Sequence, residues 1–143
     1  METVRKRILV LHSYPPSGDG ITSARIQRLQ MLETIHPYSF QHTYVCLRKQ
    51  WESGVLQLDE LVSRLEAMVV SFDPDLLLVH CGGAFMRFSA VVVTALGRLK
   101  LQHSAMEIVI EKSPLLSFTI DSRSEVFSES LEAVEIRRKV FGC

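Results

Sequence analysis

The stretch DPDLLLVHCGG, residues 73–83, is the part of the sequence that most clearly indicates a fold. Asp-Pro-Asp ends a helical pattern, and the four apolar residues 76–79 then form a strand pattern with no polar face. Strands buried on both faces occur mainly in parallel sheets that are covered by helices on both sides. The two glycines directly after the strand predict a tight loop at its carboxyl end. The stretch therefore indicates an α/β protein with a loop at the sheet edge where such proteins bind ligands.

Strand-like and helix-like segments alternate along the rest of the chain. Apolar runs predict strands over residues 7–12, 76–80 and 107–110, and weak alternation predicts another over residues 39–47. Residues 115–120 have the composition of a further short strand. Helical spacing of apolar residues predicts helices over residues 22–35, 57–72, 88–101 and 126–141. Thr22 or Ser23 is predicted to cap the first helix, and Trp51 to lie in the loop after the second strand. This alternation predicts a three-layer, flavodoxin-like α/β fold, with four to five mostly parallel strands in the order 2-1-3-4 and helices on both faces.

The composition fits a single α/β domain that spans residues 1–143. Hydrophobic residues make up 47% of the chain, and the 16 basic and 16 acidic residues cancel to a net charge of zero. Nucleic-acid-binding and membrane-surface proteins usually carry a basic excess, so neither nucleic acid nor a membrane is expected as a partner. No apolar run approaches the roughly 20 residues that span a bilayer, and no signal-peptide pattern begins the sequence. The three cysteines form no disulfide pattern, which indicates a cytoplasmic protein.

Expectations about cofactors and partners rest on the histidines, the cysteines and one helix. The five histidines and three cysteines lack the spacing of a metal site, so neither a metal nor another cofactor is expected. The helix predicted over residues 88–101 is apolar on all sides, and such a helix is either deeply buried or shares a face with another protein. A homodimer or a protein partner is therefore one interpretation of that helix.

The predicted strand order indicates where a ligand site would lie. Strands 1 and 3 are neighbours in this order, and ligands of open α/β sheets bind at the carboxyl ends of such strands, where the chain reverses its direction of winding. The loops at that point are residues 13–22 and 81–87. Candidate ligand-binding residues in and beside them are His12, Ser17, Gly18, Gly20, Thr22, Ser23, His80, Gly82 and Gly83. Their hydroxyls and amides suit a small anionic ligand, and the alternative is a proline-rich turn with a capping hydroxyl.

Cys81 and Arg87 have the Cys-x5-Arg spacing between a predicted strand and a predicted helix. Residues 79–89 thereby resemble the phosphate-binding loop of cysteine-dependent phosphatases. The resemblance implies that Cys81 is a catalytic nucleophile and that Arg87 holds the phosphoryl group. Phe88 stands where that family usually has Ser or Thr. The alternative is that Cys81 is a buried residue at a strand end and Arg87 is a solvated residue of a helix.

A longer part of the chain resembles the SGNH (GDSL-type) hydrolases. Residues 7–13 stand where that family has its first strand and nucleophilic serine, residues 71–82 resemble the segment entering the oxyanion loop, and residues 107–114 resemble the next strand and its exit. The resemblance implies an SGNH-like α/β fold with Ser13 as the catalytic nucleophile. Residues 82–85 lack the family's oxyanion asparagine, and residues 121–124 lack its Asp-x-x-His.

Three functional hypotheses follow. The first is a small hydrolase-like domain whose site, at the loops after strands 1 and 3, is altered or lost, with His12 or His80 as the candidate base. The second is a non-catalytic interaction or scaffold module on the same fold, in which both strand-end histidines are structural. The third is a cysteine-dependent phosphatase or phosphate binder that uses Cys81 and Arg87.

Overall fold

The computed structural model describes residues 4–15, 20–111, 127 and 129–142. In this part of the chain the helices and strands are, in order, β1 (Lys6–His12), α1 (Gly20–Ile35), β2 (Tyr38–Tyr44), α2 (Arg48–Ser53), α3 (Leu58–Phe72), β3 (Leu76–Val79), α4 (Gly83–Arg87), α5 (Ser89–Gln102), β4 (Glu107–Ile110) and α6 (Leu131–Phe141). The predicted strand over residues 115–120 lies outside the described residues, as do Ser17 and Gly18. None of the helices in the described ranges combines the length and the apolar character that a membrane crossing requires.

The strands form one sheet in which every pairing is parallel. Its order is β2-β1-β3-β4, so β1 and β3 are neighbours, as the alternating pattern predicts. Leu11 of β1 is opposite Val79 of β3, and Val79 is in turn opposite Ile110 of β4. Backbone hydrogen bonds continue past the strand ends, from the amide of His80 to the carbonyl of Leu11 and from the amide of Glu111 to the carbonyl of Val79. The carboxyl ends of the three strands are therefore level.

Helices cover both faces of the sheet, which confirms the predicted three-layer α/β fold. Side chains of successive strand residues point to opposite faces. Leu9, Leu11, Leu77, Val79, Ile108 and Ile110 belong to one core cluster with α3 and α5, and Ile8, Val10, Leu76, Leu78 and Val109 belong to a second with α1 and α6. β3 is entirely buried, and β1 and β4 are buried after their first one or two residues, as expected of strands with helices on both faces. The edge strand β2 is buried at only three of its seven positions.

Several predicted boundaries are wrong at their ends. The helix predicted from Thr22 or Ser23 begins at Gly20, so both residues lie in its first turn and neither is its cap. Trp51 lies in the short helix α2 and not in a loop. The side chain of Gln50 accepts a hydrogen bond from the Leu47 amide at 2.8 Å and closes the first turn of α2, and Gly54 ends that helix in the left-handed conformation, with φ of 74°.

The helix predicted over residues 88–101 corresponds to α5, which starts one residue later. Residues 83–87 before it form the separate short helix α4, and Phe88 between the two helices departs from helical geometry, with φ of −110°. The apolar residues of α5 that are buried are Val92, Val93, Ala95, Leu96 and Leu99. They belong to the core cluster with α3 and the sheet, so the apolar character of this helix is explained by burial within the chain.

The C-terminal helix α6 runs in the same direction as the strands. Its N-cap Ser130 donates a hydrogen bond to Glu107 at the start of β4, and Glu132 forms an ion pair with Lys6 at the start of β1. At its other end, Phe141 stacks on His80 beyond the end of β3, with 6.1 Å between ring centroids. The last residue of the helix therefore reaches the carboxyl edge of the sheet.

Candidate functional site

A row of polar side chains crosses the sheet at its carboxyl edge. His12 is the last residue of β1, and His80 and Glu111 directly follow β3 and β4. His42 lies in β2, two residues before its end. We call these four residues the strand-end row. Two residues before each member of the row lies a core residue whose side chain faces α1 and α6. In the same order, these core residues are Val10, Leu78, Val109 and Phe40. Because the side-chain period of a strand is two, all four point toward that same face.

Short distances connect the strand-end row from one side of the sheet to the other. Nε2 of His12 lies 2.9 Å from Nδ1 of His42, a hydrogen bond between two imidazoles. The rings of His12 and His80 are 5.9 Å apart in an edge-to-face arrangement. Nε2 of His80 lies 3.5 Å from Oε2 of Glu111. Burial lowers the pKa of His42, and the carboxylate of Glu33 partly opposes this effect.

Arg25 and Phe141 cover the end of the row at Glu111. The Nη2 atom of Arg25, in α1, lies 3.2 Å from Nε2 of His80 and 3.2 Å from Oε1 of Glu111. Its guanidinium carbon is 4.6 Å from the centroid of the Phe141 ring, which in turn stacks on His80. The Arg25 charge therefore stabilises the carboxylate of Glu111, and the two side chains are only 18% and 20% exposed.

Ser13 directly follows the row's His12 and approaches the loop after β3. A Cβ atom added to Gly82 would lie 2.2 Å from Oγ of Ser13 and 3.7 Å from Cε1 of His80. The amide of Ala84 donates a hydrogen bond to Oγ of Ser13 at 3.3 Å. Only 4% of Ser13 and 7% of His80 are exposed. Because Gly82 has no side chain, the serine hydroxyl and the imidazole can both lie close to the position that a Cβ atom of residue 82 would occupy.

Cys81 and Arg87 have different partners. The Cys81 amide donates to Oε2 of Glu111 at 3.1 Å, and its thiol donates to the Glu111 carbonyl with 2.9 Å between sulfur and oxygen. Arg87 is exposed, and its guanidinium carbon lies 4.6 Å from the centroid of the Trp51 ring. The structure therefore directs the half-buried thiol toward β4 and the guanidinium toward α2.

The other residues that the sequence singled out are dispersed along the same edge. Gly20 is exposed at the first position of α1, Thr22 is buried and Ser23 half-buried. Gly83 begins α4, where a Cβ atom would lie 3.2 Å from Cη2 of Trp51. Among the described residues, no group of three or more His, Cys, Asp or Glu side chains is arranged to hold a metal ion.

Sequence reasoning missed His42, Glu111, Arg25 and Phe141. Glu111 had a usable signal, because it directly follows a buried strand just as His80 does. His42 lies inside a weakly alternating strand, and its spacing of two from Phe40 becomes informative only when the buried face is known. Arg25 and Phe141 had no such signal, since they reach His80 across 55 and 61 positions of the chain.

Chemically, the carboxyl edge offers a hydroxyl, an imidazole, and a carboxylate that is held by an arginine. These are the group types of a nucleophile, a general base and the residue that orients the base. No protein-family model matches this chain, and no curated protein or solved structure matches it either.

Proposed function

We propose that this protein is a small serine hydrolase that acts on esters at the carboxyl ends of β1, β3 and β4. The observation that carries the proposal is that Ser13 and His80 converge at Gly82. A Cβ atom added to this glycine would lie 2.2 Å from Oγ of Ser13 and 3.7 Å from Cε1 of His80. The position of Ser13 after the first strand, with a glycine loop after the third, is also what a resemblance to the SGNH hydrolases implies.

In this proposal Ser13 is the nucleophile and His80 is the general base. The hydroxyl oxygen of Ser13 attacks the ester carbonyl while the imidazole takes its proton, and the protonated imidazole then gives that proton to the leaving alcohol. Water hydrolyses the resulting acyl-serine by the same route. Catalytic hydrogen bonds are often long in a resting site and shorten when substrate binds.

Glu111 and Arg25 act in this proposal as positioning residues. Glu111 lies 3.5 Å from Nε2 of His80, so its carboxylate is the group that orients the imidazole ring in this proposal. Arg25 holds that carboxylate through a 3.2 Å ion pair. The Ala84 amide, which donates to Oγ of Ser13, is a candidate donor to the oxyanion of the tetrahedral intermediate.

A fluorophosphonate probe tests the proposal directly. The wild-type protein is expected to form a covalent adduct at Ser13, located by mass spectrometry of its peptides, and Ser13→Ala is expected to abolish it. Ser71→Ala is the matched control, because Ser71 is exposed near the end of α3, before β3 begins, and it should label like the wild type. A folded wild-type protein that forms no adduct would overturn the proposal and favour the interaction module.

The same assay separates the proposal from the phosphatase hypothesis. The Cys81 thiol donates to the Glu111 carbonyl while Arg87 lies over Trp51, and this arrangement supports Ser13 over Cys81 as the nucleophile. Cys81→Ala is therefore expected to keep the Ser13 adduct. Hydrolysis of an aryl phosphate that is inhibited by vanadate and lost in Cys81→Ser would instead favour the phosphatase.

A further inference from the structure

Beside Ser13, aromatic rings and arginines form a continuous chain of contacts that the proposed chemistry does not use. We call it the Trp51 platform, and it consists of Tyr14, Trp51, Phe88, Arg48 and Arg87. The Trp51 ring packs edge-to-face on Tyr14 and on Phe88, with centroid distances of 5.4 and 6.1 Å. Arg87 lies over Trp51 at 4.6 Å and Arg48 over Tyr14 at 5.8 Å. The rings thus hold two positive charges on one side of the site.

The Trp51 platform adjoins the proposed nucleophile at two points. Tyr14 is the residue directly after Ser13. Trp51 lies against Gly83, since a Cβ atom on that glycine would be 3.2 Å from the ring, and Gly83 is adjacent in sequence to Gly82, the point of closest approach to Ser13. One tryptophan ring therefore separates the Arg87 guanidinium from the loop that touches the serine hydroxyl.

Arg87 is the member of the platform whose charged group is available to bind a ligand. Its side chain is exposed, and within residues 20–111 and the other described segments no hydrogen bond or ion pair occupies its guanidinium. An aromatic ring attracts a guanidinium that lies over it without accepting its N–H groups, which stay available to other partners. A guanidinium presented in this way binds oxyanions, because two parallel N–H groups match the spacing of carboxylate or phosphate oxygens.

We propose that Arg87, held on Trp51, binds an anionic oxygen group of the substrate, so that the protein prefers esters that carry a carboxylate or phosphate. This inference rests on the proposed function, because the bound anion is part of a substrate only if the protein is a hydrolase. It assigns to Arg87 a role in specificity that does not involve Cys81. It also predicts that binding of the anion changes the surroundings of Trp51, the single tryptophan of the chain.

Tryptophan fluorescence of the Ser13→Ala protein tests the inference without turnover. Monomethyl succinate and methyl phosphate serve as anionic probes, and dimethyl succinate is the neutral counterpart. At least one anionic probe is expected to cause a saturable change in fluorescence, at a concentration at least about tenfold lower than the neutral ester requires. Arg87→Gln should weaken that binding by about tenfold, the effect expected for loss of one charge-assisted contact.

Arg28→Gln is the matched control, because Arg28 is an exposed arginine of α1, on the other face of the sheet. It should bind the probes like the parent protein. Equal binding of anionic and neutral probes would overturn the inference, as would a loss of binding in Arg28→Gln but not in Arg87→Gln. If Ser13 reacts with the fluorophosphonate but no anion preference appears, only this inference fails. If the preference appears without a Ser13 adduct, the proposed hydrolase fails and the anion site remains.

Discussion

Two histidine–glutamate pairs lie near opposite edges of the sheet, and they look alike until their surroundings are compared. His103, just after α5, and Glu66, in α3, lie near the amino edge with 2.8 Å between Nε2 and Oε1, and their side chains are 25% and 33% exposed. His80 and Glu111 lie at the carboxyl edge with 3.5 Å between Nε2 and Oε2, and their side chains are 8% and 20% exposed. The shorter distance belongs to the more exposed pair.

The difference teaches that a short distance does not identify a functional site. The His103–Glu66 pair joins two helices that already pack on each other on one face of the sheet. The His80–Glu111 pair is tied to Arg25, neighbours the imidazole of His12, and meets Ser13 at Gly82. Groups from several strand ends converge on the second pair, which is the property of parallel sheets that places ligand sites at their carboxyl edge.

The largest expected effect tests whether the two pairs differ in chemistry. His80→Gln should slow the reaction of Ser13 with the fluorophosphonate by at least about 10²-fold, because it removes the proposed general base. His103→Gln removes an imidazole from a similar pair and should leave the rate within about twofold of wild type. Rates are measured by mass spectrometry at several times of incubation, with circular dichroism as the check that each variant is folded. Equal rates in the two variants would contradict a catalytic role for His80.

The next effect concerns the close approach of Gly82 to Ser13, a contact that the His80–Glu111 pair has beside it and the His103–Glu66 pair does not. Gly82→Ala would place a methyl group 2.2 Å from Oγ of Ser13, which forces a local shift and should cost about 1–3 kcal/mol of unfolding free energy. Gly20→Ala adds a methyl group with nothing within 4 Å and should instead stabilise the protein by up to about 1 kcal/mol. Urea denaturation measures both changes.

A double variant then locates the clash at the serine hydroxyl. Ser13→Ala removes the oxygen, and the remaining nearest contact of the added methyl group is the Ser13 Cβ at 3.3 Å. Gly82→Ala should therefore lower the unfolding free energy less in the Ser13→Ala background than in the wild type. Such a difference is the coupling expected between two residues in contact. Equal costs in the two backgrounds would mean that the strain lies elsewhere.

The fold is the part of this molecule that the sequence predicts well. β3 is a run of four apolar residues and β4 a run of three after Glu107, and such runs between loop signals are typical of buried strands in an alternating α/β pattern. Strand order follows from the same alternation, and the structure confirms it. β2 ends at Tyr44, three residues before its predicted end. The helix around Trp51 was predicted wrongly as a loop because its bounds depend on Gln50 and Gly54, which close its first turn and end it rather than repeat a pattern.

The candidate site could be predicted in position but not in composition. Ser13, His80 and Gly82 follow strands that the alternation makes neighbours, so their proximity is accessible from sequence. The position of Glu111 is accessible in the same way, because it directly follows β4, the other neighbour of β3. The position of Arg25 is not, because it reaches His80 from a helix and across 55 positions of the chain. Such contacts depend on which face each helix covers and on the exact level of the strand ends.

The third effect compares the two carboxylates. Glu111→Gln leaves Arg25 partly buried beside a neutral group and should cost about 1–2 kcal/mol, the range expected for a hydrogen bond to a charged partner after allowance for solvent. Glu66→Gln alters a pair that is about one-third exposed and should cost about 0.5 kcal/mol or less. Urea unfolding at pH 7 measures both values. A larger loss in Glu66→Gln would reverse the ranking of the two pairs that their burial indicates.

The smallest effect tests whether the carboxyl-edge pair belongs to an extended row. Burial lowers the pKa of His42 below its ordinary 6.5, so the folded protein binds a proton at this ring less readily than the unfolded chain does. The stability that neutral His42 contributes is therefore complete above about pH 6.5 and is lost as the pH falls toward the folded-state pKa. His42→Gln should flatten this part of the profile, so that the difference in unfolding free energy between wild type and variant shrinks from pH 7.5 to pH 5. A difference in unfolding free energy that stays constant or grows as the pH falls would show that His42 is not held in its neutral form. The His80–Glu111 pair would then lack the chain of imidazoles that distinguishes it from the His103–Glu66 pair.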